Sequence, residues 1–169
     1  MKICSLIALI IFPLTISAQS PEQKLNDLGI VLPEMEAPIA NYLKYRQVDN
    51  LIFLAGHGPC GGEYKSGKLG RDLTIEEGYQ AARLTCICML ATLKAAIGDL
   101  DRVKQVVRVT GMVNSMPAFT DQPKVVNGFS DLLTEVFGDQ GKHARAAVGM
   151  ASLPSDIPVE VTMIVELKE

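Results

Sequence analysis

The sequence is poor in aromatic side chains and carries no excess of positive charge. Tryptophan is absent, aromatic residues make up 5% of the 169 residues, and the formal net charge is −3. Proteins that bind nucleic acids usually present a basic surface to the phosphates, or aromatic side chains on which bases stack. This composition therefore disfavours nucleic acid as a partner.

Low-complexity sequence is lacking as well. The 9 prolines and 14 glycines follow no period, and 48% of the residues are hydrophobic. Such a composition disfavours a collagen-like or disordered chain and predicts a packed globular protein. At 18.3 kDa the chain has room for one domain.

Histidines are few, and familiar nucleophile motifs are missing. His57 and His143 are the only two histidines, so a base that titrates near neutrality without special tuning has to be one of them. The sequence has no GxSxG motif, and no cysteine stands in a known nucleophile context. Covalent acyl transfer is therefore disfavoured. His57 follows an apolar strand, and we expect it either to face a cleft or to be a loop histidine without a catalytic role.

Residues 1–18 carry the pattern of an export signal. Lys2 precedes an apolar run from Ile3 to Ile16, and small residues lead up to Ala18. The run is short for a membrane span and no basic segment follows it. We expect cleavage after Ala18 and a periplasmic or secreted mature protein that does not contact the membrane. An uncleaved membrane anchor is the alternative.

Three cysteines remain after such a cleavage: Cys60, Cys86 and Cys88. Cys86 and Cys88 are two residues apart on a predicted helix, so they project from different faces and cannot easily bond to each other. The favoured prediction is that the helix cysteines are buried as small hydrophobic side chains. Alternatively, Cys60 bonds to one of them and leaves an odd thiol. Zinc binding with His57 matches no standard spacing, and we predict no metal site.

Periodicity and turn signals predict an α+β domain with a mixed sheet and two main helices on one face. A leader of residues 19–37 precedes the domain, which covers residues 38–169. The predicted elements are a short leader helix within Gln19–Ile30, a hairpin from Tyr42–Gln47 and Leu51–Ala55, a long helix from the Thr74 capping box to Gly98, a strand at Val103–Val113, a helix from Pro123 to Phe137, and strands at Ala144–Met150 and Val159–Leu167.

Two charged side chains interrupt the last two predicted strands. Arg145 begins one strand among alanines, which leave its guanidinium unobstructed. A planar guanidinium binds a carboxylate through two parallel hydrogen bonds, so Arg145 is a candidate clamp for a small carboxylate. Glu160 lies between two valines of the next strand, and inward burial would favour its protonated form and suit it to proton transfer. The alternative is that both residues are solvated or pair with each other.

Several motifs together resemble those of a known family. They are Tyr42 before the first hairpin strand, the segments LIFLAGHGP and RVTGMVNSMPAFTDQPKVVN, and Ala144-Arg145-Ala146 followed by Leu153-Pro154 and Val159-Glu160-Val161. From about Pro38 to Leu167 the sequence resembles the RidA/YjgF family, also called the endoribonuclease L-PSP or chorismate-mutase-like family. The segments GRDLTIEEGYQAAR and HARAAVG are similar to those of a longer branch of that family.

This resemblance implies a RidA-type, chorismate-mutase-like fold that assembles as a homotrimer, with substrate clefts between neighbouring subunits. It also implies that no metal or organic cofactor is needed. The implied activity is hydrolysis of reactive 2-imino and 2-enamino acids, such as 2-iminopropanoate and 2-aminoacrylate, to 2-keto acids and ammonia.

The resemblance further implies a role for each site residue. Arg145 would hold the substrate carboxylate, and Glu160 would position or activate the water that attacks the imine carbon. Tyr42, Gly56 and Asn127 occupy positions that resemble those lining the family's cleft.

Two other functions remain open at this point. One is a non-catalytic trimer in which Arg145 captures small carboxylates without turnover. The other is ribonuclease action, which the family label suggests. The acidic composition and the absence of a general acid–base histidine pair disfavour ribonuclease action.

Overall fold

The computed structural model describes residues 19–34 and 40–169. The predicted export signal, residues 1–18, lies outside the described residues, as does the predicted start of the domain at residue 38. The main helices and strands are, in chain order, α1 (Pro21–Asp27), β1 (Tyr45–Val48), β2 (Leu51–His57), α2 (Ile75–Ile97), β3 (Val103–Asn114), α3 (Gln122–Phe137), β4 (Ala144–Met150) and β5 (Val159–Leu167).

The five strands form one mixed sheet with the order β1-β2-β5-β3-β4. β3 and β4 are parallel, and the other neighbouring pairs are antiparallel. A helix, α3, connects the two parallel strands, as a crossover connection requires. The predicted α+β class and mixed sheet are confirmed.

The two main helices begin where the sequence signals predicted. The Thr74 hydroxyl accepts a hydrogen bond from the Glu77 amide, and the Glu77 carboxylate accepts one from the Thr74 amide, which completes the predicted capping box of α2. Pro123 lies in the first turn of α3, where its missing N–H costs nothing. By length and composition α2 is apolar enough to cross a membrane, but 61% of its apolar window is buried inside the domain, as in a core helix.

The hydrophobic core lies between the sheet and the helices. In β5, alternate side chains from Val159 to Leu167 are buried, whereas those between them are only half-buried. Since successive side chains of a strand point to opposite faces, one face of the sheet is covered by helices and the other is not. The predicted placement of the helices on one face is confirmed.

The uncovered face of the sheet carries apolar side chains. Phe53 pairs with Ile164 of β5, and Val148 pairs with Met112 of β3, so all four share this face. Phe53 is 39% exposed and Val148 is 42% exposed. An apolar sheet face of this kind is a surface on which another protein can pack.

The leader helix α1 is attached to the domain. Ser20 caps it through a capping box with Gln23, and Leu25 is 3% exposed within the hydrophobic core. The Glu22 carboxylate accepts a hydrogen bond from the backbone amide of Leu100, 3.0 Å away. The leader therefore contributes to the core.

A disulfide joins Cys60 to Cys88, with the two Cα atoms 5.9 Å apart. The favoured prediction of buried free cysteines is correct for Cys86 and wrong for Cys88. After β2 the chain folds back over α2 and brings Cys60 to Cys88. Local sequence patterns do not predict such a tertiary contact. Burial raises the pKa of the Cys86 thiol, which therefore stays protonated.

Replacing both Cys60 and Cys88 by Ser should lower the free energy of unfolding by about 3 kcal/mol, because the unfolded chain then no longer contains a closed loop. The two cysteines are 28 residues apart in sequence. Denaturant unfolding followed by circular dichroism measures the change, and a reductant should cause the same loss in the wild type. Cys86→Ala keeps the disulfide and should keep the response to reductant. Equal stability of the double variant and the wild type would contradict the prediction.

Candidate functional site

Arg145 lies on edge strand β4 and points to the helix-covered side of the sheet. It pairs with Val109 of β3, which is fully buried, and paired residues of neighbouring strands share a face. Its Nη1 donates to Asn127 Oδ1 at 2.9 Å and to Ser130 Oγ at 3.0 Å, both on α3. Asn127 and Ser130 are three residues apart, so they lie on the same helix face. The helix thus holds one side of the guanidinium.

The other side of the Arg145 guanidinium is open. Both Nη1 hydrogens are used by Asn127 and Ser130, while Nε and Nη2 contact no acceptor among residues 19–34 and 40–169. Nε and Nη2 lie along one edge of the guanidinium, and their N–H groups run parallel. This edge has the geometry that binds both oxygens of a carboxylate. Arg145 is exposed, so a ligand can reach it.

Glu160 lies on the uncovered side of the sheet, near the start of β5. It is half-buried and stands between Val159 and Val161, whose side chains enter the core. A Cβ placed on Gly56 would lie 1.9 Å from Glu160 Oε1, so the carboxylate rests directly over this glycine. Only a residue without a side chain leaves room for it there. Glu160 therefore does not enter the core, an orientation that the sequence had left open.

One chain brings the predicted site residues together in two groups, not one. Arg145 contacts Asn127, and Glu160 contacts Gly56, but the two groups lie on opposite faces of the sheet. Tyr42 is 51% exposed and precedes β1, at the edge of the sheet opposite β4. Arg145 and Glu160 therefore do not pair with each other within one chain.

The sequence does not predict that Ser130 and His143 lie beside Arg145. His143 Nε2 lies 3.1 Å from Ser130 Oγ, and His143 Nδ1 lies 2.7 Å from the carbonyl oxygen of Gly141. The available signals were spacings: Ser130 follows Asn127 by three helical residues, and His143 precedes Arg145 by two residues at a strand. Neither spacing identifies a site residue unless α3 is known to pack beside β4.

The second histidine, His57, belongs to the core. It is 7% exposed at the end of β2. Its Nδ1 lies 2.9 Å from the Ala55 carbonyl oxygen, and its Nε2 lies 2.8 Å from Thr92 Oγ1 of α2. A carbonyl oxygen only accepts, so Nδ1 carries the proton and the Thr92 hydroxyl donates to Nε2. His57 therefore ties β2 to α2 and does not face a cleft.

Comparison with known families decides the identity of the fold. Residues 22–167 match the family described as "YjgF/chorismate mutase-like, putative endoribonuclease". The chain belongs to the YjgF family. The resemblance predicted from the arginine and glutamate blocks is thereby confirmed.

Individual relatives agree with the assignment of this chain to the YjgF family. Protein TCP17 of Trypanosoma cruzi is 46% identical over 146 residues, which cover 85% of this chain and 91% of TCP17. The crystal structure of Atu1372 from Agrobacterium tumefaciens is 41% identical with a TM-score of 0.81, covering 88% of this chain and 92% of that one. A Shewanella oneidensis protein of the same endoribonuclease description is 37% identical with a TM-score of 0.83, covering 88% of this chain and 100% of that one.

Acid should destabilise this YjgF-family protein through His57. Burial lowers the pKa of His57 below its usual 6.5. Between pH 6.5 and the lowered pKa, the unfolded chain therefore binds a proton that the folded chain does not. Stability is therefore full above pH 6.5 and declines as the pH falls towards the lowered pKa. One histidine contributes at most about 1.4 kcal/mol per pH unit. Urea unfolding at a series of pH values measures the slope.

His57→Gln is the control for this pH dependence. It should reduce the slope of unfolding free energy against pH but not abolish it, because burial also lowers the pKa of His143. An unchanged slope in His57→Gln would show that another group is responsible.

Proposed function

We propose that this protein is an imine and enamine deaminase, which hydrolyses small 2-imino and 2-enamino acids to 2-keto acids and ammonia. Membership of the YjgF family supports the proposal. The observation that carries it is the open edge of the Arg145 guanidinium, whose opposite side is held by α3. In a 2-imino acid the carboxylate adjoins the imine carbon, so a side chain that holds the carboxylate also fixes the reacting carbon.

The surroundings of Arg145 suit capture of an anion. Asn127 and Ser130 are neutral, so they orient the guanidinium without cancelling its charge. Holding the side chain in advance also reduces the entropy that would be lost when a ligand binds. TdcF of Escherichia coli, which shares the fold with a TM-score of 0.57 at 18% identity, was solved with bound serine.

Glu160 is the proposed proton carrier. The carbon of an imine that is protonated on nitrogen is already electrophilic, so its hydrolysis needs a placed water and a base. Water oxygen bonds to the imine carbon while Glu160 takes a water proton, which gives a carbinolamine. Glu160 then returns this proton to the amino nitrogen. The carbon–nitrogen bond breaks as the hydroxyl loses its proton, and the products are the keto acid and ammonia, which carries off that proton as ammonium.

The proposed reaction needs more than one copy of the chain. Arg145 lies on the covered face of the sheet and Glu160 on the uncovered face, so a single chain does not present both to one small substrate. The apolar uncovered face, with Phe53 and Val148, supports packing of copies against each other. We propose the homotrimer of the family resemblance, with each cleft formed by Arg145 of one copy and Glu160 of another.

We further propose that the mature protein acts in the periplasm or outside the cell. The signal pattern of residues 1–18 supports export, with cleavage near Ala18. The Cys60–Cys88 disulfide supports it independently, because such bonds persist in oxidising compartments.

Endoribonuclease activity has less support. The net charge is −3, which opposes binding of a polyanion. Of the two histidines, His57 lies in the core, so the pair cannot share a surface site.

Turnover of imino acids generated by an amino-acid oxidase tests the proposal, with ammonia and keto-acid release measured above the spontaneous rate. Arg145→Ala should lower kcat/KM by about 100-fold, because it removes two charge-assisted hydrogen bonds. Glu160→Gln should lower kcat by about 100-fold or more with little change in KM. Gly56→Ala should resemble Glu160→Gln, since its methyl group displaces the carboxylate. Glu166→Gln, on the same strand and face, is the matched control and should keep wild-type turnover.

Mixing the two inactive variants tests the shared cleft. When Arg145→Ala and Glu160→Gln chains are unfolded together and refolded, about one interface in four should combine both intact residues and regain activity. Full turnover by Glu160→Gln alone would refute the mechanism. Carboxylate binding without turnover in the wild type would favour the non-catalytic alternative.

A further inference from the structure

A continuous chain of hydrogen bonds runs behind the Arg145 guanidinium. Arg145 Nη1 donates to Ser130 Oγ at 3.0 Å, Ser130 Oγ lies 3.1 Å from His143 Nε2, and His143 Nδ1 lies 2.7 Å from the Gly141 carbonyl oxygen. These contacts join α3, the turn before β4, and β4 itself. His143 has no part in the mechanism above, and Ser130 enters it only as a neutral partner that orients Arg145.

The direction of each hydrogen bond follows from the chemistry of the groups. The Gly141 carbonyl only accepts, so His143 Nδ1 carries a proton. In the neutral ring Nε2 then has a lone pair and accepts the Ser130 hydroxyl hydrogen. This leaves the lone pairs of Ser130 for Arg145, whose N–H groups only donate. Every hydrogen bond of this chain can therefore form when His143 is neutral.

Close packing between the turn and α3 brings His143 to this position. A Cβ on Gly141 would lie 2.2 Å from the Leu133 carbonyl oxygen, so only glycine allows the turn to approach the helix so closely. Two residues later, His143 lies against Ser130, one helical turn before Leu133.

The charge that acts most directly on His143 is that of Arg145. Burial lowers the pKa of His143, the hydrogen bond to the Gly141 carbonyl partly opposes this shift, and the positive charge of Arg145 adds to it. The neighbouring charged side chains of α3 and of the turn are engaged with other partners: Asp131 with Tyr79, Glu135 with Arg83, and Asp139 with Lys142.

We infer that Ser130 and His143 are positioning residues for Arg145, and that they link its affinity for a carboxylate to the protonation of His143, so that binding tightens as the pH falls. The ligand class rests on the proposed function, whereas the hydrogen-bond chain does not. A carboxylate bound to Arg145 cancels the charge that opposes protonation of His143. By reciprocity, protonated His143 strengthens binding of that carboxylate.

Geometry is preserved when His143 takes up its second proton. Nε2–H then donates to Ser130 Oγ, whose two lone pairs serve His143 and Arg145 together, and the hydroxyl hydrogen turns away. The guanidinium keeps its orientation while the local positive charge increases by one. This is the physical reason for tighter, not weaker, anion binding in acid.

Calorimetric titration with 2-oxobutanoate, a stable 2-keto acid, tests the inference on the mature wild-type protein. Its carboxylate stays ionised between about pH 5 and 8, the range in which histidine titrates. The Kd should become at least about fivefold lower from the upper to the lower end of this range. In parallel, NMR titration of the His143 ring should show its pKa rising when the keto acid is added or when Arg145 is replaced by Gln.

Two variants distinguish a positioning role of Ser130 and His143 from a purely structural role. His143→Gln offers an amide that can reach Ser130 but does not titrate, so it should bind like the wild type at about pH 8 and lose the pH dependence. Ser130→Ala breaks the chain and should weaken binding about threefold to tenfold across the range. Thr134→Ala removes a hydroxyl of the same helix that bonds only to backbone carbonyls, and it should match the wild type.

The outcomes distinguish this inference from the proposed function. Binding with a pH-independent Kd, or a pH dependence retained in His143→Gln, would overturn the inference and leave deamination standing. Binding that tightens in acid without any turnover of imines would support the inference and overturn deamination. A folded protein that binds no keto acid at any pH would overturn both.

Discussion

Side chains alternate across a β-strand, and in this protein that alternation determines what a single chain can do. Burial of Val159 and Val161 under the helices turns Glu160 to the uncovered face of the sheet. Pairing with buried Val109 turns Arg145 to the covered face. No change of rotamer reverses either assignment, because the backbone sets the face of the sheet to which each Cβ points, and turning a strand over would expose part of the core. The proposed chemistry, which uses both residues, therefore needs a second copy of the chain.

On the covered face, the packing of α3 controls the arginine. An exposed arginine on an edge strand would otherwise sample many rotamers, and ordering it would cost free energy when a ligand binds. Asn127 and Ser130 hold Nη1 and leave the opposite edge open. The close approach of Gly141 to α3 brings His143 to the same place. Helix α3 thus contributes both to the stability of the fold and to the orientation of Arg145.

Much of the fold was predictable because its signals are local. The capping box at Thr74, the proline in the first turn of α3 and the β-branched run of β3 each act within a few residues of sequence. From the sequence, the Cys60–Cys88 disulfide is only one of the alternatives, because it depends on a loop folding back over a helix. His57 was equally ambiguous, since a histidine after a strand has the same sequence context whether it meets Thr92 or solvent.

By itself the sequence determined the order of the elements, the α+β class, the family, and Arg145 and Glu160 as the side chains of interest. Hydrophobic periodicity indicates which residues share a face of one helix or strand, and motifs indicate residue types at fixed spacing. Neither reports which elements lie against each other. Only the tertiary structure therefore decided that Arg145 and Glu160 lie on opposite faces of the sheet, that Gly56 lies under Glu160, and that Ser130 and His143 lie behind Arg145. Each of these depends on contacts between segments far apart in the chain.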